Sequence, residues 1–189
     1  LFLLVSSEPE RLLATIRSRC QSLRVRQPAP SLAESWLRQA GIGDAGHWLA
    51  LAGGSPLLAV ELGASEERVL LEALIAEMSR GIELDPLAAA AAIDRVVKAE
   101  KRAAPLKRMV EWSQKWLLDL TLASEELPAR YFLTQEQLLR QLAKSTDTPN
   151  LLAFDRKTLQ YKLQCEQPLN SRLFLEEFFL NYAALFRTS

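Results

Sequence analysis

Apolar positions along most of the chain recur three and four residues apart, the spacing of amphipathic helices. Two stretches depart from it. Leu1-Phe2-Leu3-Leu4-Val5 is a continuous apolar run, the pattern of a buried strand in a parallel sheet, and Ser22 to Arg26 reads as a second short strand. The first run has no sister strand within the chain. It is expected to be poorly packed or to pair with another copy of itself. Between the two lies a short helix from near Pro9 to near Arg19. The predicted class is therefore all-α with a remnant strand.

Pro28 and Pro30 form a hinge-like break. Three short helices follow over about 28–64. The first opens on a capping box, Ser31-x-x-Glu34, turns Trp36 and Leu37 inward and ends at Gly41 and Gly43. Asp44 caps the second, which stops at Gly53-Gly54, and Ser55-Pro56 starts the third, which Gly63 closes. From Ser65 the helices lengthen. Ser65-Glu66-Glu67 opens one carrying Val69, Leu70, Ala73, Leu74 and Met78, ended by Gly81. Asp85-Pro86 starts an alanine-rich helix through Val97, and Pro105 another with Leu106, Met109, Val110, Trp116, Leu117 and Leu120 on one side. Thr134-x-x-Gln137 reads as a second capping box, and Thr148-Pro149 starts a helix with Leu151, Leu152, Leu159 and Leu163. Asn170 caps the last helix, Ser171 to about Phe186, which is apolar nearly all round and so buried on several sides. The expected division is 1–27, 28–64 and 65–189.

Composition narrows the function. Of 189 residues 49% are apolar, which argues for a folded core. The 23 basic and 23 acidic residues balance, so no global field attracts nucleic acid or membrane. Cys20, Cys165 and His47 are the only residues of their types, too scattered for a zinc site. A nucleophile pair would need one cysteine beside His47; two buried free thiols are the plainer reading. The apolar run at the start is too short to span a bilayer and has no basic region before it. The first residue is not Met, so the chain is expected to begin in mid-protein. Residues 94–108 hold Arg95, Lys98, Lys101, Arg102, Lys107 and Arg108 against Asp94 and Glu100. This patch reads as a solvated helix end or as a surface for DNA or an acidic partner.

The chemistry centres on Thr15-Ile16-Arg17-Ser18-Arg19-Cys20, two arginines at a helix end just before a strand. Arginine is planar, permanently charged and able to hold two phosphate oxygens at once. On the residues alone this is either an ordinary basic turn or a phosphate-reaching one. In context it resembles something more definite. An apolar strand, Ser6 and Ser7, Pro9 and then Ser18-Arg19-Cys20 are similar to the end of the ATPase core of AAA+ clamp-loader subunits. The resemblance implies that Arg19 is an arginine finger reaching the ATP of a neighbouring subunit, with Arg17, Ser18 and Cys20 framing it and Ser6 or Ser7 in the sensor-1 position.

Gly53-Gly54-Ser55-Pro56-Leu57 resembles the start of the sensor-2 helix in the small lid domain. Leu57 stands where motor subunits usually carry an arginine, which implies a subunit without ATPase activity of its own. Asn170-Ser171-Arg172-Leu173 resembles the start of the last collar helix in the delta-prime branch of the bacterial family. No Walker A loop, G-x-x-x-x-G-K-[ST], occurs in these residues.

The resemblance thus implies a remnant of the AAA+ core at 1–27, a lid at 28–64 and an oligomerisation collar of about six helices at 65–189. It implies a cytoplasmic, non-catalytic member of a DNA polymerase III holoenzyme. Its partners would be delta and gamma or tau subunits in a heteropentamer, and through them the sliding clamp and primed DNA. No cofactor would be held by this stretch itself, ATP and Mg being bound in a partner subunit, and no membrane is implied. Two other readings stand beside it: a gamma/tau-type motor subunit, and a helical scaffold unrelated to ATP.

Overall fold

The longest helical pattern of the chain becomes its longest helix. In a computed structural model, which describes residues 2–6, 9–23, 25–64, 67–99 and 104–186, Pro105–Ser124 is a single helix of 20 residues. Counting along the chain, the helices are α1 (Ala14–Arg17), α2 (Pro30–Gln39), α3 (Ala45–Leu51), α4 (Pro56–Ala64), α5 (Glu67–Met78), α6 (Pro86–Ala99), α7 (Pro105–Ser124), α8 (Glu136–Ala143), α9 (Thr148–Gln164) and α10 (Ser171–Ala184). The fold is all-α, with no strand among the described residues. Helices α2, α3 and α4 pack on one another as a small bundle. In the larger one α10 lies mainly on α6, α7 lies against α8 and α9, and α5 reaches both α6 and α7.

Neither expected strand forms among the described residues, which leave out Arg24 of the second. Phe2 to Val5 has no regular structure, with Phe2 97% exposed, and Leu23 and Val25 are exposed in an extended stretch. A strand exists only where its backbone groups meet a partner, and no described segment offers an edge. Leu1 and Ser7 lie outside the described residues.

Several helix starts also shift. α2 begins two residues early, at Pro30 with Ala29 as N-cap, so Ser31 falls in the first turn and caps nothing. The fixed φ of proline suits the first helical position and claims it. Trp36 is 43% exposed, and Ala33 and Leu37 form the buried face instead. Asp44 does occupy the N-cap of α3, but with φ +49° and no bond from its side chain. Gly63 lies inside α4, which continues to Ala64. Thr134 sits in a 3-10 turn, Leu133–Gln135, and does not cap α8. α9 does start at Thr148, with Asp147 as its cap accepting from Asn150 N at 2.7 Å. Ser65 and Glu66 lie outside the described residues.

Other expectations hold. Ser55 Oγ accepts weakly from Leu58 N at 3.5 Å. Asp85 Oδ1 accepts from Leu87 N and Ala88 N at 3.0 and 3.1 Å. Asn170 Oδ1 accepts from Arg172 N and Leu173 N at 3.0 and 3.3 Å. Gly81 follows α5 with φ +54°, and a Cβ there would lie 2.5 Å from Leu142 Cδ2, so only glycine fits without displacing Leu142.

The large bundle is organised around aromatic rings. Trp112, Trp116, Phe132, Tyr161, Phe178, Phe179, Tyr182 and Phe186 are all fully buried. Trp116 meets Phe132 edge-on at 5.1 Å, and Phe178 meets Phe154, Tyr161 and Phe179 at 5.3 to 5.6 Å. Such ring pairs add about 0.5–1.5 kcal/mol beyond their burial. The polar tips inside are satisfied: Trp116 Nε1 donates to Tyr182 Oη at 3.0 Å, and Tyr182 donates to Met78 O at the end of α5 at 2.8 Å. This one chain of bonds ties α7, α10 and α5 together. On α9 the inward face is Leu151, Phe154, Thr158 and Tyr161, while Leu152, Leu159 and Leu163 are exposed.

Candidate functional site

The segment carrying the two arginines is built from very short elements. A 3-10 turn, Pro9–Arg11, leads into the four residues of α1. No side chain caps α1, and it ends in a tight turn in which Ser18 N bonds Ala14 O, Arg19 N bonds Ile16 O and Cys20 N bonds Arg17 O. Ser18 Oγ donates back to Thr15 O at 3.2 Å. The two arginines have different surroundings. Arg17 is pinned by an ion pair with Glu10. Arg19 is exposed and makes no side-chain bond to the described residues. Ser6 is exposed on the preceding extended stretch.

The cysteines are not both buried. Cys20 is exposed. Cys165 is half-buried at the end of α9, and burial pushes its thiol pKa up to about 11. Cys20 lies in a segment with almost no core contact of its own, which explains the difference. Neither thiol bonds to His47. That imidazole meets Trp48 at 5.0 Å, and its Nδ1 is buried without a hydrogen-bond partner. Desolvation lowers its pKa; Asp44 opposes the shift and Arg68 adds to it. Among the described residues no cluster of three or more His, Cys, Asp or Glu could hold a metal ion.

The glycine loop between α3 and α4 uses both of its glycines. Gly53 and Gly54 have φ of +65° and +85°. Gln27 Nε2, arriving from the N-terminal segment, donates to Gly53 O at 3.2 Å, and a Cβ on Gly54 would lie 3.2 Å from Gln27 Oε1. Leu57, one turn on, is 73% exposed. The basic stretch 94–108 is largely neutralised where it is described. Lys98 pairs with Asp94 at 2.6 Å, Lys107 with Glu166 at 2.8 Å and Arg108 with Glu111 at 3.9 Å. Glu100, Lys101 and Arg102 lie outside the described residues.

Sequence reasoning passed over the junction between the two bundles. Lys115 of α7 donates to Leu51 O, the last residue of α3, at 2.7 Å, and its ammonium lies 5.4 Å from the Tyr131 ring centre. Desolvation lowers its pKa. Asp119, one turn along, is fully buried and accepts from Arg130, Tyr131 and Phe132 N at 2.9, 2.8 and 2.7 Å. The available signal was two charged residues, Lys115 and Asp119, set among Trp112, Trp116 and Leu120 on an otherwise inward helix. On the other side of the junction a cleft of about 790 Å³ opens, bordered by Arg38, His47, Arg68 and Leu133.

Fold and site define an all-α protein of two packed bundles that presents an arginine on an exposed turn. No family model matches the chain. Its sequence is 28% identical to the DNA polymerase III subunit delta' of Pseudomonas aeruginosa, over 97% of this chain and 56% of that protein. The similarity runs through nearly the whole chain. The chain spans little more than half the length of that relative. No helix among the described residues is long and apolar enough to cross a membrane.

Proposed function

We propose that the chain is part of a non-catalytic clamp-loader subunit that helps ATP-driven loading of the sliding clamp onto primed DNA and supplies Arg19 in trans to a neighbour's ATP. The observation that carries this reading is the contrast between the two arginines. Arg17 is committed to Glu10, whereas Arg19 is exposed on a tight turn with nothing in the described chain to hold it. A guanidinium brought to a transferring phosphoryl group stabilises the charge that develops there and makes hydrolysis depend on assembly. Ser18 and Cys20 frame the finger, and Ser6 and Ser7 take the sensor-1 place. Gly54-Ser55-Pro56-Leu57 is a sensor-2 start without its arginine, which favours a supporting role over a motor. ATP and Mg would be held by the partner.

On this reading 1–27 closes the AAA+ core, 28–64 is the lid and 65–189 the collar that joins delta and gamma or tau subunits in a cytoplasmic heteropentamer. The leucines that α9 turns outward, Leu152, Leu159 and Leu163, support a collar contact, since ring joints need mostly apolar area.

The test is DNA- and clamp-stimulated ATP hydrolysis by a reconstituted five-subunit loader, with full-length protein carrying Arg19→Ala or Arg17→Ala and assembly followed by light scattering. Arg19→Ala is expected to assemble and to lose about tenfold or more in rate, over about 1.4 kcal/mol. Arg17→Ala should lose much less. A loader with Arg19→Ala that hydrolyses ATP and loads clamp like the parent would remove the finger assignment.

A further inference from the structure

The chain passes from one bundle to the other only once, between α4 and α5, and a cleft of about 790 Å³ lies between them. Apolar residues of both bundles share one core, and apolar contact alone leaves the angle between two packed bundles weakly specified. Arg68 of α5 lies 5.9 Å from the Trp48 ring centre of α3, an exposed cation over a ring that is only a weak tie. The other side of the joint is built more firmly.

There the Lys115 ammonium reaches out of the large bundle to Leu51 O, a carbonyl at the C-terminal end of α3 where the helix dipole favours a cation. It rests against the face of Tyr131, which also lies 3.9 Å from where a Cβ on Gly53 would stand. Tyr131 is held in turn, because Asp119 grips three successive amides of its loop with both carboxylate oxygens. Lys115 and Asp119 stand four apart on α7, a spacing at which opposite charges ordinarily pair. They do not pair here. Each is committed elsewhere, one across the junction and the other to the loop that seats it. Half-burying a cation with no carboxylate at pairing distance costs free energy, and here the ammonium is held across the junction by Leu51 O and the Tyr131 ring.

We propose that Lys115 is the positioning residue that fixes the orientation of the α2–α4 bundle on the α5–α10 bundle, with Tyr131 as its seat and Asp119 as the support of that seat. The proposal concerns the geometry of this chain and stands or falls independently of the clamp-loader reading.

The experiment is a pair of spin labels on the intact protein, at Gln39→Cys on α2 and Gln160→Cys on α9, with Cys20→Ser and Cys165→Ala as background. Their distance distribution is read by pulsed electron resonance, alongside amide hydrogen exchange. Lys115→Met keeps the stem and removes the ammonium. It is expected to broaden and shift the distribution and to speed exchange at Gly53 and Gly54, while amides of α10 stay protected as in the parent. Lys115→Arg keeps a donor and is expected to retain the parent distribution. Tyr131→Leu, which removes the ring face and leaves Lys115 in place, is expected to broaden it and serves as the second variant should Lys115→Met not fold. An unchanged distribution in Lys115→Met or Tyr131→Leu would overturn the proposal. So would faster exchange spread evenly over both bundles, which would mark Lys115 as a general stabilising residue.

Discussion

The segment 9–29 and the α5–α10 bundle obey different rules. Among the described residues of the first, all but Leu12 are exposed, and its helix α1 is a single turn held by backbone bonds, the Ser18 hydroxyl on Thr15 O and an ion pair from Arg17 to Glu10. The second buries eight large aromatic rings and satisfies the polar tips of Trp116 and Tyr182 inside. Stability therefore resides in the bundle, and the residue proposed to act on a neighbour's nucleotide resides where little else depends on it. An arginine that must enter another subunit's site cannot also be a packing residue of its own. The separation should make Arg19 replaceable without unfolding the protein, whereas the bundle's aromatic rings are not.

The largest effect should come from the core. Phe178→Ala removes a fully buried ring that touches three others and should cost about 3–5 kcal/mol, read as a lower urea midpoint. A loss below about 1 kcal/mol would mean that the bundle repacks freely, and the contrast with 9–29 would fade. Asp119→Ala comes next. It leaves three amides without their acceptor and should cost about 3 kcal/mol, with exchange at Arg130, Tyr131 and Phe132 accelerated beyond the global change.

A smaller effect is a matter of pH. Burial of Asp94 works against its charge, but hydrogen bonds from Lys98 and Ser171, with the charges of Lys98 and Arg172, outweigh it and hold its pKa below the ordinary value. A depressed folded pKa gives stability that is complete above the unfolded value, about 3.9, and lost as pH falls through the folded one. Asp94→Asn should therefore be less stable than the parent at neutral pH and fall off less steeply in acid. Thermal melts over that range decide it, and parallel curves would show that Asp94 contributes nothing to acid sensitivity. Smallest of all, Arg19→Ala should change stability by no more than about 0.5 kcal/mol, since its side chain is exposed and makes no bond to the described residues. A drop of 2 kcal/mol or so would show that Arg19 holds the fold together, against the separation drawn above.

Most helices were legible because their signals are local. Proline at the first turn, glycine past the last, and the side chains of Ser55, Asp85 and Asn170 act within a few residues of themselves. The failures share a cause as well. Leu1 to Val5 and Ser22 to Arg26 look like strands only to a reader who supplies the partner strands, and the described residues provide none. Leu152, Leu159 and Leu163 have the same apolarity as Leu151, and nothing local says that only Leu151, with Phe154 and Tyr161, meets α7 and α10.

The sequence by itself determined the helical class, the approximate place of each long helix and the pair of arginines ahead of Cys20. These depend on residue type and on spacing within one or two turns. Only the tertiary structure decided which arginine is tied and which is exposed, that Cys20 lies at the surface, and that Lys115 and Asp119 serve a junction and not each other. Those outcomes turn on groups up to 64 residues apart in the chain meeting within hydrogen-bond distance, and such meetings are set by the packing of whole helices, which no local pattern encodes.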